Sequence, residues 1–250
     1  MGTTMSISLG TKPWRIWRQH WHNQNSLKGL RLPLVLILSI IIGAGLGYLI
    51  TNHFANWRDF EAFDPSTRLD DWIPVIPWMI LPYYTLYLYY PMAAITGMKD
   101  DLTKMEVVIF HQILLITTWF VFVVFLISPA EVDIRKSVFE TDLGIWEVWF
   151  TKMYEVDTPW NAWPSLHIVQ SLLAVLVVTR WYYPTKHKPL IIALWFAWTL
   201  LTISVMTTKQ HFVWDAVSAL IVSFFVWKYW MKPALDNCQT EEMKQAFDNL

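Results

Sequence analysis

The chain has 250 residues, of which 55% are hydrophobic and 16% charged, and it carries a formal charge of -1. Soluble globular proteins run at roughly 45–50% apolar and 25% charged, so composition argues against a water-soluble enzyme. The near-neutral charge also argues against a nucleic-acid binder, and the apolar excess against a disordered chain. A single cysteine, Cys238, permits no intrachain disulfide. The expectation is an all-α, polytopic protein whose solvent is the bilayer.

In chain order, Trp14, Trp17 and Trp21 recur at helical spacing among Arg15, Arg18 and His20, which predicts an amphipathic helix on a membrane surface within a polar segment, 1–33. A membrane helix needs about 20 apolar residues, and six stretches approach this: 34–50, 72–98, 107–127, 165–183, 190–206 and 212–231. The first contains Gly43, Gly45 and Gly47, small residues on which another helix can pack closely. The second, interrupted by Pro74, Pro77, Pro82 and Pro91, is expected to bend; its tyrosines, Tyr83 among them, read as packing and interface anchors. His111 and Gln112 near the start of the third should bond to neighbouring helices or face the cytoplasmic boundary. Leu143, Trp146, Phe150 and Met153 predict a second interfacial helix, and Glu241, Glu242 and Lys244 a solvated tail over 232–250. The 17 tryptophans fit an aromatic belt. No cleavable signal peptide is expected.

Lys and Arg resist translocation. Six spans put thirteen of them on one side, including Lys12, Arg31, Lys99, Lys186 and Lys232, against six on the other, including Arg58, Arg68 and Lys209. Both termini are therefore expected in the cytoplasm of a multi-pass inner-membrane protein.

Ionisable residues beside spans are costly and mark candidate sites. Two clusters fall on the outer side. In Asn161-Ala162-Trp163-Pro164-Ser165-Leu166-His167, Pro164 suits the first turn of a helix, whose free amides form an anion-binding end. In Lys209-Gln210-His211-Phe212-Val213-Trp214-Asp215, His211 and Asp215 are four apart on one helix face, so the carboxylate can hold the imidazole in one tautomer. Taken singly, a Ser before a span reads as a cap and an interfacial His as structural. Together at one depth, the set points to function.

These residues resemble a family. Pro164-Ser165-Leu166-His167 is similar to the Pro-Ser-x-His motif of the type 2 phosphatidate phosphatase superfamily. Ser204, His211 and Asp215 match the spacing of its Ser-Arg-x5-His-x3-Asp motif. The strings Asp157-Thr158-Pro159-Trp160-Asn161-Ala162-Trp163 and Lys209-Gln210-His211-Phe212 look like the branch that includes inositol phosphorylceramide synthases and many bacterial lipid phosphatases. There are departures. Ser128 stands where the first motif, Lys-x6-Arg-Pro, has its lysine, and no Pro follows Arg135; Val205 replaces the third-motif arginine, and Leu166 the common glycine.

The resemblance implies six spans over 34–231, with His211 as nucleophile, Asp215 as its orienter and His167 as general acid and base. Lys209, Ser165, the Leu166 amide and Arg135 would hold the phosphate, Lys209 standing in for the missing arginine. No metal or cofactor is implied, and the partner is a lipid phosphate or diphosphate in the membrane. Three functions fit this reading: a phosphatase working through a phosphohistidine, a transferase passing the same group to an alcohol, and a non-catalytic lipid-binding or transport protein on the same fold. Retention of both histidines and the aspartate disfavours the last.

Overall fold

The computed structural model describes residues 7–57, 62–157, 159–183 and 187–250. Arg58, Thr158 and Lys186, used in the charge count and the motif string, lie outside them. All regular elements among the described residues are helical, apart from one isolated parallel bridge between Phe63 and Ala130.

The tryptophan-rich segment forms a 3-10 turn, Arg15–Trp17, and the short helix α1, Arg18–His22. It is pinned to protein, not laid out on a surface. Gln112 is fully buried in an apolar helix, so its amide needs partners inside the protein. The N-terminal segment supplies them: Trp17 Nε1 donates to Gln112 Oε1 at 2.6 Å, and Gln112 Nε2 donates to the carbonyls of Gly10 and Lys12. His111 bonds within its own helix, Nδ1 to the Val107 carbonyl at 2.7 Å.

The first span is longer than its apolar stretch: α2 covers Arg31–Trp57. Two of its three glycines are used as expected, because a Cβ at Gly43 would lie 2.9 Å from Leu115 and one at Gly47 2.3 Å from Phe122, whereas Gly45 faces open space. The second stretch starts later and is broken. Thr67 and Asp70 cap a separate short helix, α3, Arg68–Trp72; a 3-10 turn, Pro77–Met79, then leads into α4, Ile80–Tyr84, and α5, Leu86–Thr96. Proline lacks the amide hydrogen a continuous helix requires, and four prolines in 25 residues of chain divide it.

Helix α6, Asp101–Ile127, opens on a reciprocal box in which Asp100 Oδ1 accepts the Thr103 amide and Thr103 Oγ1 the Asp100 amide. Two short helices, α7 (Lys136–Phe139) and α8 (Glu147–Val156), carry the chain across one end of the bundle; α8 buries Phe150 and Met153, as its spacing predicts. There follow α9, Leu166–Tyr182, and α10, Lys188–Thr207, then α11, Val213–Val226, which runs without interruption through a π turn, Trp227–Met231, into α12, Lys232–Asn237. Pro233, with no amide to offer the preceding turn, sits just beyond the widened segment. The last helix, α13, Glu241–Asp248, exposes its charges but buries Met243 and Phe247, the latter against Trp21 at 4.6 Å between ring centroids. Both terminal segments thus share the main hydrophobic core with the long helices.

Helix α9 lies at the centre, packed by α5, α6, α10 and α11. Among the described residues, three helices are long and apolar enough to cross a membrane: Arg31–Ala55 within α2, α6 and α10. The outer helices α2, α10 and α11 display large apolar side chains outward, among them Leu38, Leu46, Ile192, Phe196 and Phe224, each half or more exposed. Such a belt is costly in water and is compatible with embedding in a membrane.

Candidate active site

Two helix starts build the site. At the first, Ser165 is the residue before α9, but its hydroxyl makes no capping bond; it is fully buried and without a partner. The simple cap reading therefore fails, and the first amides of α9, beginning at Leu166, have no carbonyl of their own helix to bond. At the second, the residue before α11 is Phe212, which cannot cap. Asp215 Oδ2 takes the Phe212 amide at 2.9 Å, and Asp70 Oδ1 reaches over from α3 to take that of Val213 at 2.7 Å. The Ser165 amide donates to the Asp215 carbonyl at 3.2 Å, which ties the two starts together through their backbones.

Between α10 and α11 the chain reverses at Lys209, whose φ of 55° lies in the left-handed region. Past the turn, the amides of Gln210 and His211 both donate to the Val205 carbonyl at 3.0 Å, and so fix His211 against the end of α10. The ring of His211 is 3% exposed, with Nδ1 3.2 Å from Asp215 Oδ2 and Nε2 3.0 Å from Nδ1 of His167. Because Nδ1 faces a carboxylate it carries the hydrogen, so in the neutral ring Nε2 keeps a lone pair directed at His167.

On the far side of His167, Nε2 lies 3.1 Å from the Tyr83 hydroxyl, which is 3.0 Å from Asp157 Oδ2. The other oxygen of Asp157 accepts the hydroxyl of Tyr48. Arg135 donates from one terminal nitrogen to the Asp157 carbonyl and from the other to Gln210 Oε1 at 2.6 Å, with its guanidinium 5.0 Å over the Tyr154 ring. Arg135 Nε and Gln210 Nε2 are buried and unpartnered.

Of the residues singled out in the sequence, His167, His211, Asp215, Ser165 and the Leu166 amide are brought to one place, and Arg135 reaches it through Gln210. Lys209 is not turned to them. Its ammonium, 5% exposed, donates to the carbonyls of Asp70 at 3.1 Å and Ile73 at 2.7 Å. Burial holds it below the usual lysine range, against the opposing pull of Asp70 and Asp71. A left-handed turn places the backbone of Lys209 beside His211 and sends its side chain to the end of α3. Four further residues enter the site: Tyr48, Tyr83, Asp157 and Gln210. Tyr83 is 84 residues from His167, so no local spacing betrays it; Asp157 and Gln210 were visible only inside the motif strings.

No family model, curated protein or solved structure matches the chain.

Proposed function

We propose that the protein is a membrane-embedded phosphohydrolase acting on a lipid phosphate or diphosphate, of the type 2 phosphatidate phosphatase kind. The observation that carries this reading is the line Asp215–His211–His167, with contacts of 3.2 and 3.0 Å, set beside three buried polar groups without partners: the Ser165 hydroxyl, Gln210 Nε2 and Arg135 Nε. Buried polar groups are rarely left unpaired, and unpaired donors beside a nucleophile suit an anionic substrate.

In this reading a phosphoryl group enters between the two rings, which must part to admit it. The His211 Nε2 lone pair forms a bond to phosphorus while the ester P–O bond breaks, its electron pair going to the leaving oxygen. His167 Nδ1 gives that oxygen its proton. Water then attacks the phosphohistidine, surrendering a proton to His167 Nδ1 as the N–P bond breaks, and both histidines return to their starting state. Ser165, Gln210, the Leu166 amide and Arg135 stabilise the non-bridging oxygens, where most of the barrier to phosphoryl transfer is removed. The site lies at the ends of α9 and α11, within reach of a head group whose tails remain in lipid.

The same proposal completes six spans with the broken α4–α5 pair, the 17 residues of α9 and the continuous run from α11 through α12, and places the termini in the cytoplasm and the site on the outer face. A cysteine at Glu140 should then react with an impermeant maleimide in intact cells, and one at Lys188 only after permeabilisation; the reverse pattern inverts the orientation. Native Cys238 reports nothing here, because it is fully buried and its thiol is pushed up to about 12. The activity is tested by incubating the purified protein with short-chain phosphatidate and with lipid diphosphates, and trapping the intermediate. Phosphate release with an acid-labile, alkali-stable phosphoenzyme that disappears in His211→Ala supports the reading. Absence of both in folded protein overturns it, and transfer to an added alcohol in place of release redirects it to the transferase.

A further inference from the structure

The mechanism above uses one side of His167, and the structure assigns a use to the other. We propose that the Asp157 carboxylate, acting through the Tyr83 hydroxyl, is a positioning group that keeps His167 loaded with the proton it delivers. The inference rests on the phosphohydrolase reading and gives Asp157 and Tyr83 roles that the motif match leaves unassigned.

Each contact in the chain from Asp215 to Asp157 needs one hydrogen. As a nucleophile His211 is neutral, so with Nδ1 donating to Asp215 at 3.2 Å its Nε2 is an acceptor; the atom 3.0 Å from it, His167 Nδ1, must therefore donate. At the other end Asp157 accepts from Tyr48 on one oxygen and, at 3.0 Å, from Tyr83 on the other. With its hydrogen committed to Asp157, the Tyr83 oxygen is an acceptor toward His167 Nε2 at 3.1 Å, so that nitrogen donates too. With both carboxylates ionised and the nucleophile His211 neutral, every contact is satisfied only if His167 carries hydrogen on both nitrogens. A carboxylate oxygen 3.8 Å from Nε2 compensates the resulting charge in a site where the side chains of His167 and Asp157 are each only 13% exposed. The titratable and charged groups facing His167 are His211 with Asp215 behind it, Tyr83, Asp157 with Tyr48 behind it, and Arg135, whose guanidinium is held on the Asp157 carbonyl and Gln210.

The layout separates the two jobs of one ring. Nδ1 faces the space where the leaving oxygen would be, and Nε2 stays anchored to Tyr83. On delivery the Nδ1–H bond breaks with its electrons remaining on the ring, an O–H bond forms on the leaving group, and the neutral imidazole keeps its Nε2–H on Tyr83. The ring therefore holds its orientation for the second half of the cycle, when Nδ1 takes a proton from water.

A positioning role for the acid is read from leaving-group dependence, which a structural role does not change. Short-chain phosphatidate departs as an alkoxide and needs the proton; p-nitrophenyl phosphate departs as a stable phenolate and needs it little. Asp157→Asn and Tyr83→Phe should lower kcat/KM, which reports phosphoenzyme formation, by about 30-fold to 100-fold on phosphatidate but less than about threefold on the nitrophenyl ester. His167→Ala should show the same selectivity more strongly. Retained nitrophenyl turnover certifies the fold of each variant, and Tyr83→Phe, which deletes one oxygen, stands in where Asp157→Asn fails to fold. An equal loss on both substrates, or no loss on phosphatidate, overturns the inference while leaving the phosphohydrolase reading intact. A folded wild-type protein that cleaves neither substrate overturns the reading and the inference with it.

Discussion

Helix α9 has a polar group at each end, and the two ends are built in opposite ways. Near its C-terminus Arg180 clasps Glu106 of α6 with Nε at 3.1 Å and a terminal nitrogen at 2.9 Å. The indole of Trp181 donates to the same carboxylate at 2.6 Å, and Asp236 of α12 takes the remaining guanidinium nitrogen, also at 2.6 Å. The buried Glu106 carboxylate has both oxygens occupied, as a buried charge requires. Fifteen residues earlier, about 22 Å along the helix, the Ser165 hydroxyl and the nearby Gln210 and Arg135 nitrogens are equally buried and lack partners beside a pair of hydrogen-bonded histidines. Burial of polar groups alone does not mark a site. Saturated hydrogen bonding marks the structural end, and unfilled donors beside a nucleophile mark the chemical one.

Substitutions at the two ends of α9 should have opposite consequences. The largest effect is expected for His211→Ala and His167→Ala: each should cut phosphatidate turnover by about 1,000-fold or more, and the double variant little further, because the two act as a unit. Near-normal turnover in a folded His211→Ala protein ends the mechanism. At the other end, Arg180→Met leaves Glu106 without its cation and should cost about 3 kcal/mol of stability, the lower part of the range for a broken buried pair because the arginine is 18% exposed. Turnover per folded molecule should stay unchanged. Resistance to denaturant in detergent, measured beside specific activity, checks both halves.

Arg135→Gln and Lys209→Gln come next. The sequence argument favours Lys209 as the phosphate clamp, but its ammonium is spent on the Asp70 and Ile73 carbonyls. Arg135→Gln should therefore lower the rate by about 30-fold to 100-fold, or 2–3 kcal/mol of transition-state stabilisation. Lys209→Gln should act mainly on stability, by about 1 kcal/mol, the typical value of a hydrogen bond to backbone. Steady-state rates of the two variants, compared with their unfolding midpoints, decide between the residues; a larger rate loss for Lys209→Gln restores it as the clamp. The smallest effect is expected for Ser165→Ala. Deleting an unpartnered buried hydroxyl should change stability by less than about 0.5 kcal/mol while lowering the rate about tenfold. A destabilisation as large as that of Arg180→Met would show that the hydroxyl is a structural element and erase the contrast between the ends.

What the sequence determined by itself is what short range decides. Apolar length placed α9 and α10 to within about two residues at each end but stopped short of the end of α2 and the start of α6, the prolines announced the broken α4–α5 segment, and the four-residue spacing of His211 and Asp215 sufficed to pair them, because one helical turn sets that distance. Tertiary structure decided the rest. Trp14, Trp17 and Trp21 read as a membrane-surface stripe, but the indole of Trp17 donates to Gln112, 95 residues away, and Trp21 packs on Phe247. The charged tail read as solvated, yet Met243 and Phe247 dock beneath its charges. Lys209 and His211 are two residues apart, but one left-handed turn separates the destinations of their side chains. Asp157 and Tyr83 meet His167 from separate segments of the chain. Hydrogen-bond partners of this kind are chosen by which helices pack around α9, and packing is a property of complementary surfaces that no periodicity along a single strand of sequence records.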